Sequence, residues 1–420
     1  MRNLTEYEDI DKDSVAMFDV DKIRADFPVL STTVNGKPLA YLDNGATAQK
    51  PLAVIETMDR IYRECNSNIH RGAHHLSNVV TTLYEEARER VRRHIGAADT
   101  AEIIFTSGAT ASINLVAATY GDMAVKEGDE VIVTYLEHHA DIVPWQMLCA
   151  RKGARLRAVP LTSAGELDTE AYMSMLSERT RIVAVTQASN VLGTLPDLPR
   201  IIDAAHKAGA KVVVDGCQGI VHGSVNVSEL DCDFYAFSGH KLYGPTGIGV
   251  LYGKRDLLES MPPYMGGGDM VDKVTMDNTT YAELPLKFEA GTTNYIGAIG
   301  LGEAIRYLDG TDMTAAWEHE KSLTRHALES LSQVDGLTIY GPVERCSIVS
   351  FNVEGVHHMD MGMILDKMGV AVRTGTHCAQ PLMAFYGVTG MVRVSMAFYN
   401  THEEIDRLRE AVDRAVSMLR

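Results

Sequence analysis

Residues 211–241, KVVVDGCQGIVHGSVNVSELDCDFYAFSGHK, hold the reading that decides the fold. Each end of the stretch is a short apolar run closed by small and polar residues. VVVD leads into Gly216, Cys217 and Gln218, and FYAFS leads into Gly239, His240 and Lys241. Runs of this length, rich in β-branched and aromatic residues and bounded by turn formers, read as buried strands. The same unit recurs upstream in EIIFTSG (102–108), DEVIVTYLEHH (129–139), RLRAVPL (155–161) and RIVAVTQASN (181–190). Helical patterns such as SNVVTTLYEEARERVRRHIG (77–96) and LPRIIDAAHKAGA (198–210) stand between strands. Strands alternating with helices predict an α/β unit built on a large, mainly parallel sheet. GIGVLYG (247–253) follows closely, so one of the last strands is expected to run antiparallel. In such sheets ligands gather at the carboxyl ends of the strands. Polar residues recur at those ends: Thr110, His138, Asn190, Asp215, Gln218, Ser238, His240 and Lys241.

After residue 305 the pattern changes. A helix, WEHEKSLTRHALESLSQV (317–334), precedes CSIVSFNVEG (346–355), a further helix, the loop RTGTHCAQPLM (373–383) and MVRVSMAFYN (391–400). The expected division is an acidic lead over 1–17, a large α/β unit over 38–305, and a smaller α+β unit over 18–37 and 306–420.

Composition narrows the function classes. At 420 residues, with 45% hydrophobic and 23% charged residues, the chain can bury a large core. A net charge of −17 argues against a nucleic-acid surface, which needs clustered Lys and Arg. The six cysteines are scattered with no C-x-x-C pair, which indicates neither a zinc site nor a disulfide framework. Such usage suits a reducing compartment. The N-terminal stretch is acidic without an apolar core, and no run approaches a spanning helix. A cytoplasmic protein that binds no membrane is expected.

The strand ends carry chemistry in combination. Lys241 lies among small and Gly residues in SGHKLYGPTG (238–247), a setting in which an amine can form an imine; alone it also reads as a surface lysine. Asp215 closes an apolar strand and could pair with the pyridinium nitrogen of pyridoxal phosphate (PLP), or serve as a cap or metal ligand. TSGATASIN (106–114) opens a helix whose N–H groups could hold a phosphate. GPTGIGVLYG (244–253) runs into a strand rather than opening a helix, so it is not a dinucleotide fingerprint. EHHAD (137–141) offers imidazoles that could stack on a ring, and no third ligand accompanies them, so no metal site is expected. A lysine, an acidic strand end and a phosphate-ready helix start together describe PLP chemistry.

With these motifs in view, the chain resembles the SufS-type cysteine desulfurases, group II of the class V aminotransferase family. YLDNGATAQKP (41–51), NIHRGAHHLS (68–77), EHHADIVPWQ (137–146), VDGCQG (214–219), DFYAFSGHKLYGPTGIG (233–249), FEAGT (288–292) and RTGTHCAQPLM (373–383) carry the likeness in family order. The resemblance implies an aspartate aminotransferase-like PLP fold of type I. It implies that Lys241 carries PLP, Asp215 pairs with the ring nitrogen, Gln218 contacts the ring hydroxyl and His138 stacks on the ring. Thr110, Ser238 and His240 are then phosphate contacts, with Thr292 reaching across from a second subunit of a homodimer. Asn190 and Arg393 are implied as substrate carboxylate holders, Arg373 as the arginine opening the cysteine loop, and His70 and Arg71 as an interface motif near the site. Cys378 becomes the nucleophile that takes sulfur from L-cysteine as a persulfide, leaving L-alanine, in a positive setting offered by Arg373 and His377. The sulfur then passes to a SufE-like or SufU-like acceptor for iron–sulfur cluster assembly.

Three places depart from the family pattern. Ala109 and Ala111 stand in SGATAS (107–112) where Thr and Glu are frequent, Cys217 replaces a small Ala, and Thr376 replaces a His before His377. Selenocysteine lyase shares the same PLP apparatus and stays open. An aminotransferase or epimerase would keep Lys241 and Asp215 but have no use for Cys378. A sulfur-carrying interaction protein with a dead PLP site would need neither Lys241 nor Asp215 intact.

Overall fold

A computed structural model describes residues 18–420; the acidic lead over 1–17 lies outside the described residues. The large sheet has seven strands: β1 Ile103–Thr106, β2 Glu130–Thr134, β3 Arg155–Val159, β4 Thr180–Thr186, β5 Lys211–Asp215, β6 Phe234–Ser238 and β7 Gly249–Gly253. Their order across the sheet is β1-β7-β6-β5-β4-β2-β3. Strands β6, β5, β4, β2 and β3 pair in parallel, and β7 lies antiparallel between β1 and β6. The reason is local: the link from β6 to β7 is too short for the helical crossover a parallel return requires.

Both faces of the sheet are covered, and alternate residues divide between two apolar clusters. Val212 and Val214 face one cluster with Val183, Val185 and Val250, while Val213 faces the other with Ile182, Ala184 and Leu251. That is the period of two expected of strands buried on both sides. On the first face the helices His75–His94 and Tyr295–Asp309 pack closely. A Cβ added at Gly302 would stand 2.7 Å from the Cβ of Ala87, so the contact requires glycine.

The smaller sheet is antiparallel, with β8 Leu337–Tyr340, β9 Ile348–Val353, β10 Arg373–Gly375 and β11 Met391–Ser395 in the order β8-β9-β11-β10. Phe351, Val392 and Val394 share a core with Leu323, Leu365 and Leu408 from the helices Met313–Ser332, His358–Lys367 and His402–Leu419. Ala40–Tyr41 pairs in parallel with Val370–Ala371. We propose a two-unit division along the lines read from the sequence, with residues 40–43 counted in the smaller unit because their backbone is bonded there. Among the described residues no helix is long and apolar enough to cross a membrane.

Candidate active site

The carboxyl ends of β2, β4, β5 and β6 open onto one cavity of about 170 Å³. His138, Asn190, Asp215, Ser238 and Lys241 line it from the large sheet, with Thr110 and His240 beside them. Arg373, Cys378 and Arg393 close it from the β10–β11 side.

The floor is built from buried polar groups. Asp215 is 5% exposed, and its Oδ1 accepts from the Cys217 N–H at 3.0 Å. The His138 Nδ1 accepts from the Ala140 N–H at 3.1 Å, so a neutral ring carries its proton on Nε2. Burial, reinforced by the charge of Lys241, pushes His138 down to about 4, which keeps the imidazole neutral. Burial likewise lowers His240 to about 4, helped by Lys241 and Lys50. Ser238 Oγ accepts from the Ala109 N–H at 2.9 Å. Ala109 thus contributes backbone at the cavity wall, whereas Ala111 lines a separate hollow. Gln218 is buried behind the wall and does not line the cavity; its Nε2 donates to the Gly45 carbonyl at 2.8 Å.

Arg393, 1% exposed, donates from Nη1 to the Asn190 carbonyl at 2.8 Å and from Nη2 to Asp43 Oδ1 at 3.0 Å. Its Nε and the Oδ1 of Asn190 are buried without a partner among the described residues. A buried donor and a buried acceptor left open in one cavity suit a bound polar group.

Cys378 sits on a fastened turn. His377 and Cys378 both hold left-handed backbone, with φ of 52° and 55°, a conformation that costs non-glycine residues energy and clusters at functional sites. The Cys378 carbonyl accepts from the His139 N–H at 2.8 Å, and the His377 carbonyl from Asn190 Nδ2 at 2.8 Å. The His139 Nε2 accepts from the Gln380 N–H at 3.1 Å. Cys378 itself is partly exposed to the cavity. The expectation that His377 adds positive charge is corrected here. Its ring is buried, Nε2 bonds to the Met391 carbonyl at 3.0 Å, and burial drives it down to about 3, so it is neutral. The cations facing the cavity are Arg373, Arg393 and Lys241. Cys217 is 7% exposed, and burial pushes its thiol up to about 12.

Thr292, His70 and Arg71 lie outside this cavity. Thr292 is exposed, His70 Nε2 meets Glu85 Oε1 at 3.0 Å, and Arg71 Nε meets Asp269 Oδ1 at 2.7 Å. Two residues escaped the sequence reading although YLDNGATAQKP contains both. Asp43 anchors Arg393, and Lys50 Nζ donates to the His240 carbonyl at 2.8 Å, the peptide group joined to Lys241. The same carbonyl accepts from Thr47 Oγ1 at 3.1 Å and the Ala48 N–H at 3.2 Å. Burial lowers Lys50 to about 8.

Residues 40–408 match the family model "Aminotransferase class-V". The chain belongs to this family. It is 50% identical over 403 residues to a cysteine desulfurase of Salmonella agona, covering 96% of this chain and 99% of the relative. It is 51% identical over 406 residues to a cysteine desulfurase of Dickeya dadantii, covering 96% and 98%. Among solved structures it is similar to the cysteine desulfurase CsdA of Escherichia coli in S-sulfonic acid form, with TM-score 0.90, 44% identity, and coverage of 96% of this chain and 100% of that one. Apo cysteine desulfurase from Thermococcus onnurineus NA1 aligns with TM-score 0.90 and 37% identity, covering 95% and 98%. The family's cofactor is PLP, and the cavity of this family member fits it: an amine, a strand-end carboxylate, a neutral imidazole, and open buried donor and acceptor atoms face one space.

Proposed function

We propose that this protein is an L-cysteine desulfurase of the SufS type that passes sulfur toward iron–sulfur cluster assembly. The observation that carries the reading is the partly exposed thiol of Cys378, lining the same cavity as Lys241, Asp215 and Arg393, where the other thiol, Cys217, is buried. An aminotransferase or epimerase has no step for that thiol.

In this reading Lys241 would hold the cofactor covalently, Asp215 would pair with its ring nitrogen, His138 would stack on the ring, and Ser238, Thr110 and His240 would hold its phosphate. The ring-hydroxyl contact expected of Gln218 would need its side chain to turn from the Gly45 carbonyl, to which its Nε2 donates at 2.8 Å. Bound PLP supplies an electron sink that weakens the bonds around the substrate's Cα. Arg393 and Asn190 orient the substrate carboxylate, using the open Nε for charge-assisted bonding. Lys241 stands to move the proton at Cα. Cys378, as thiolate, attacks the substrate Sγ. The Cβ–Sγ bond breaks, an Sγ–Sγ bond forms on Cys378, and Cβ gains a proton to give L-alanine. The persulfide sulfur then leaves to a SufE-like or SufU-like acceptor.

We further propose a cytoplasmic homodimer in which Thr292 reaches the neighbouring phosphate and His70 and Arg71 lie at the interface. Two-fold dimers are the commonest soluble oligomers, and Thr292 is exposed outside its own chain's cavity. The deciding experiment incubates the pure protein with L-cysteine, and in parallel with L-selenocysteine, and assays alanine and sulfide or selenide with and without each acceptor. Alanine from L-cysteine with persulfide on Cys378 supports the reading; exclusive turnover of L-selenocysteine replaces it with a selenocysteine lyase. Light scattering on the same sample reads the dimer, and a fully active monomer would remove it.

A further inference from the structure

Glu137 and Asp141 flank His138 in the chain, and both are fully buried. Glu137 Oε1 accepts from Thr134 Oγ1 at 2.7 Å and from the Thr186 N–H at 3.0 Å. Asp141 Oδ1 accepts from the Trp145 Nε1–H at 2.8 Å. The second oxygen of each carboxyl, Glu137 Oε2 and Asp141 Oδ2, has no donor among the described residues. The two carboxyl groups interact side chain to side chain across the turn, and the carboxyl of Asp215 lies near enough to act on both. Neither makes an ion pair among the described residues. Two ionised carboxylates in contact, dry and beside a third, are strongly disfavoured. One proton between them satisfies both open oxygens at once.

We propose that Glu137 and Asp141 share one proton, and that the joined pair is a positioning device that fixes His138 over the cavity. The turn between them sets the imidazole. The Asp141 N–H donates to the His138 carbonyl at 2.8 Å, and the Ala140 N–H to His138 Nδ1 at 3.1 Å. The neighbouring His139 N–H holds the Cys378 carbonyl at 2.8 Å. Joining the two carboxyls closes this turn at both ends. The Glu137 bond to Thr186 then ties it to β4, where Thr186 is the register partner of Asp215 on β5. Burial raises both groups, Glu137 to about 8, with the charge of Asp215 acting in the same direction.

The positioning half rests on the proposed place of His138 against the ring; the shared proton is read without cofactor or substrate. Infrared spectra of the full-length protein near neutral pH should contain the carbonyl stretch of a protonated carboxylic acid, shifted in D₂O. Asp141→Asn should remove that band while its amide still donates to Glu137. A wild-type minus Asp141→Asn difference spectrum without the band would overturn the shared proton. For positioning, the PLP-loaded proteins are compared by the circular dichroism of the bound cofactor. Asp141→Leu, at equal PLP occupancy, should lose at least half of the wild-type signal, and Asp141→Asn should restore it. Wild-type dichroism in Asp141→Leu would overturn the positioning role. If Asp141→Leu does not fold, Asp141→Ala takes its place with the same outcomes. Desulfurase activity enters neither readout, so failure here is distinct from failure of the proposed function.

Discussion

The side-chain amide of Asn190 donates to the carbonyl of His377 at 2.8 Å, fastening the end of β4 to the turn that carries Cys378. One residue therefore touches both the cavity and the backbone of the thiol. Asn190→Ala should leave PLP binding close to normal and slow sulfur transfer by roughly ten- to a hundredfold, the cost of a misplaced reacting group. Single-turnover persulfide formation, followed by mass spectrometry beside the cofactor absorbance, separates the two. Equal loss of both would make Asn190 a cofactor residue instead.

Cys378→Ser should keep PLP binding and the spectral response to L-cysteine, and lose persulfide, with alanine production falling on the order of a hundredfold. A serine hydroxyl stays protonated and attacks sulfur poorly. The sulfur added to the wild type should reside on Cys378 alone. Cys217 lines the same cavity but is nearly sealed, with burial pushing its thiol up to about 12, so it offers no thiolate near neutral pH. Sulfur found on Cys217 would refute the assignment.

Much of this arrangement was legible in the sequence because strands buried on both faces write themselves as continuous apolar runs. Asp215, Ser238 and Lys241 could be read for the same reason: each falls where such a run stops. Local pattern carried no information on pairings made across the chain. Asp43 meets Arg393 from 350 positions away, and Lys50 reaches the His240 carbonyl from 190. Charge was misread where burial decides it. His377 beside Arg373 suggests a cation, yet its ring is sealed under β11 through the Met391 carbonyl. Ala109 and Ala111 differ by two positions but face different hollows, which helix geometry sets only once the helix is docked.

Lys50→Met removes one of three donors on the carbonyl that precedes Lys241. Thr47 and Ala48 still hold that carbonyl, so covalent PLP should form. Turnover should fall by roughly tenfold with little change in KM, since only the aim of the lysine is loosened. Steady-state kinetics at saturating PLP test this. A change confined to KM would assign Lys50 to substrate binding. Lys241→Ala, by contrast, should abolish both the covalent cofactor absorbance and turnover.

Acid should destabilise the cofactor-free protein through its buried histidines. Burial lowers His138 and His240 from 6.5 to about 4, and His377 from 6.5 to about 3, so the folded protein keeps all three neutral. The unfolded chain protonates them below their ordinary value. It therefore binds more protons than the folded state, and stability rises with pH across this window. Their contribution is fully present above 6.5 and is lost as pH falls through the folded values. The carboxyls of Glu137, Asp141 and Asp43, raised by burial, act oppositely, since the folded state holds protons there that the unfolded chain has released, while the lowered His94, His139, His358 and His402 act with the three. His377 is the cleanest probe because it is the most buried. His377→Asn should flatten the stability profile between pH 6.5 and 4 by up to one proton's slope, about 1.4 kcal/mol per pH unit. Urea unfolding at a series of pH values measures the slope, whatever the variant costs at neutral pH. Parallel profiles for wild type and variant would mean that His377 protonates in the folded protein as readily as in the unfolded chain.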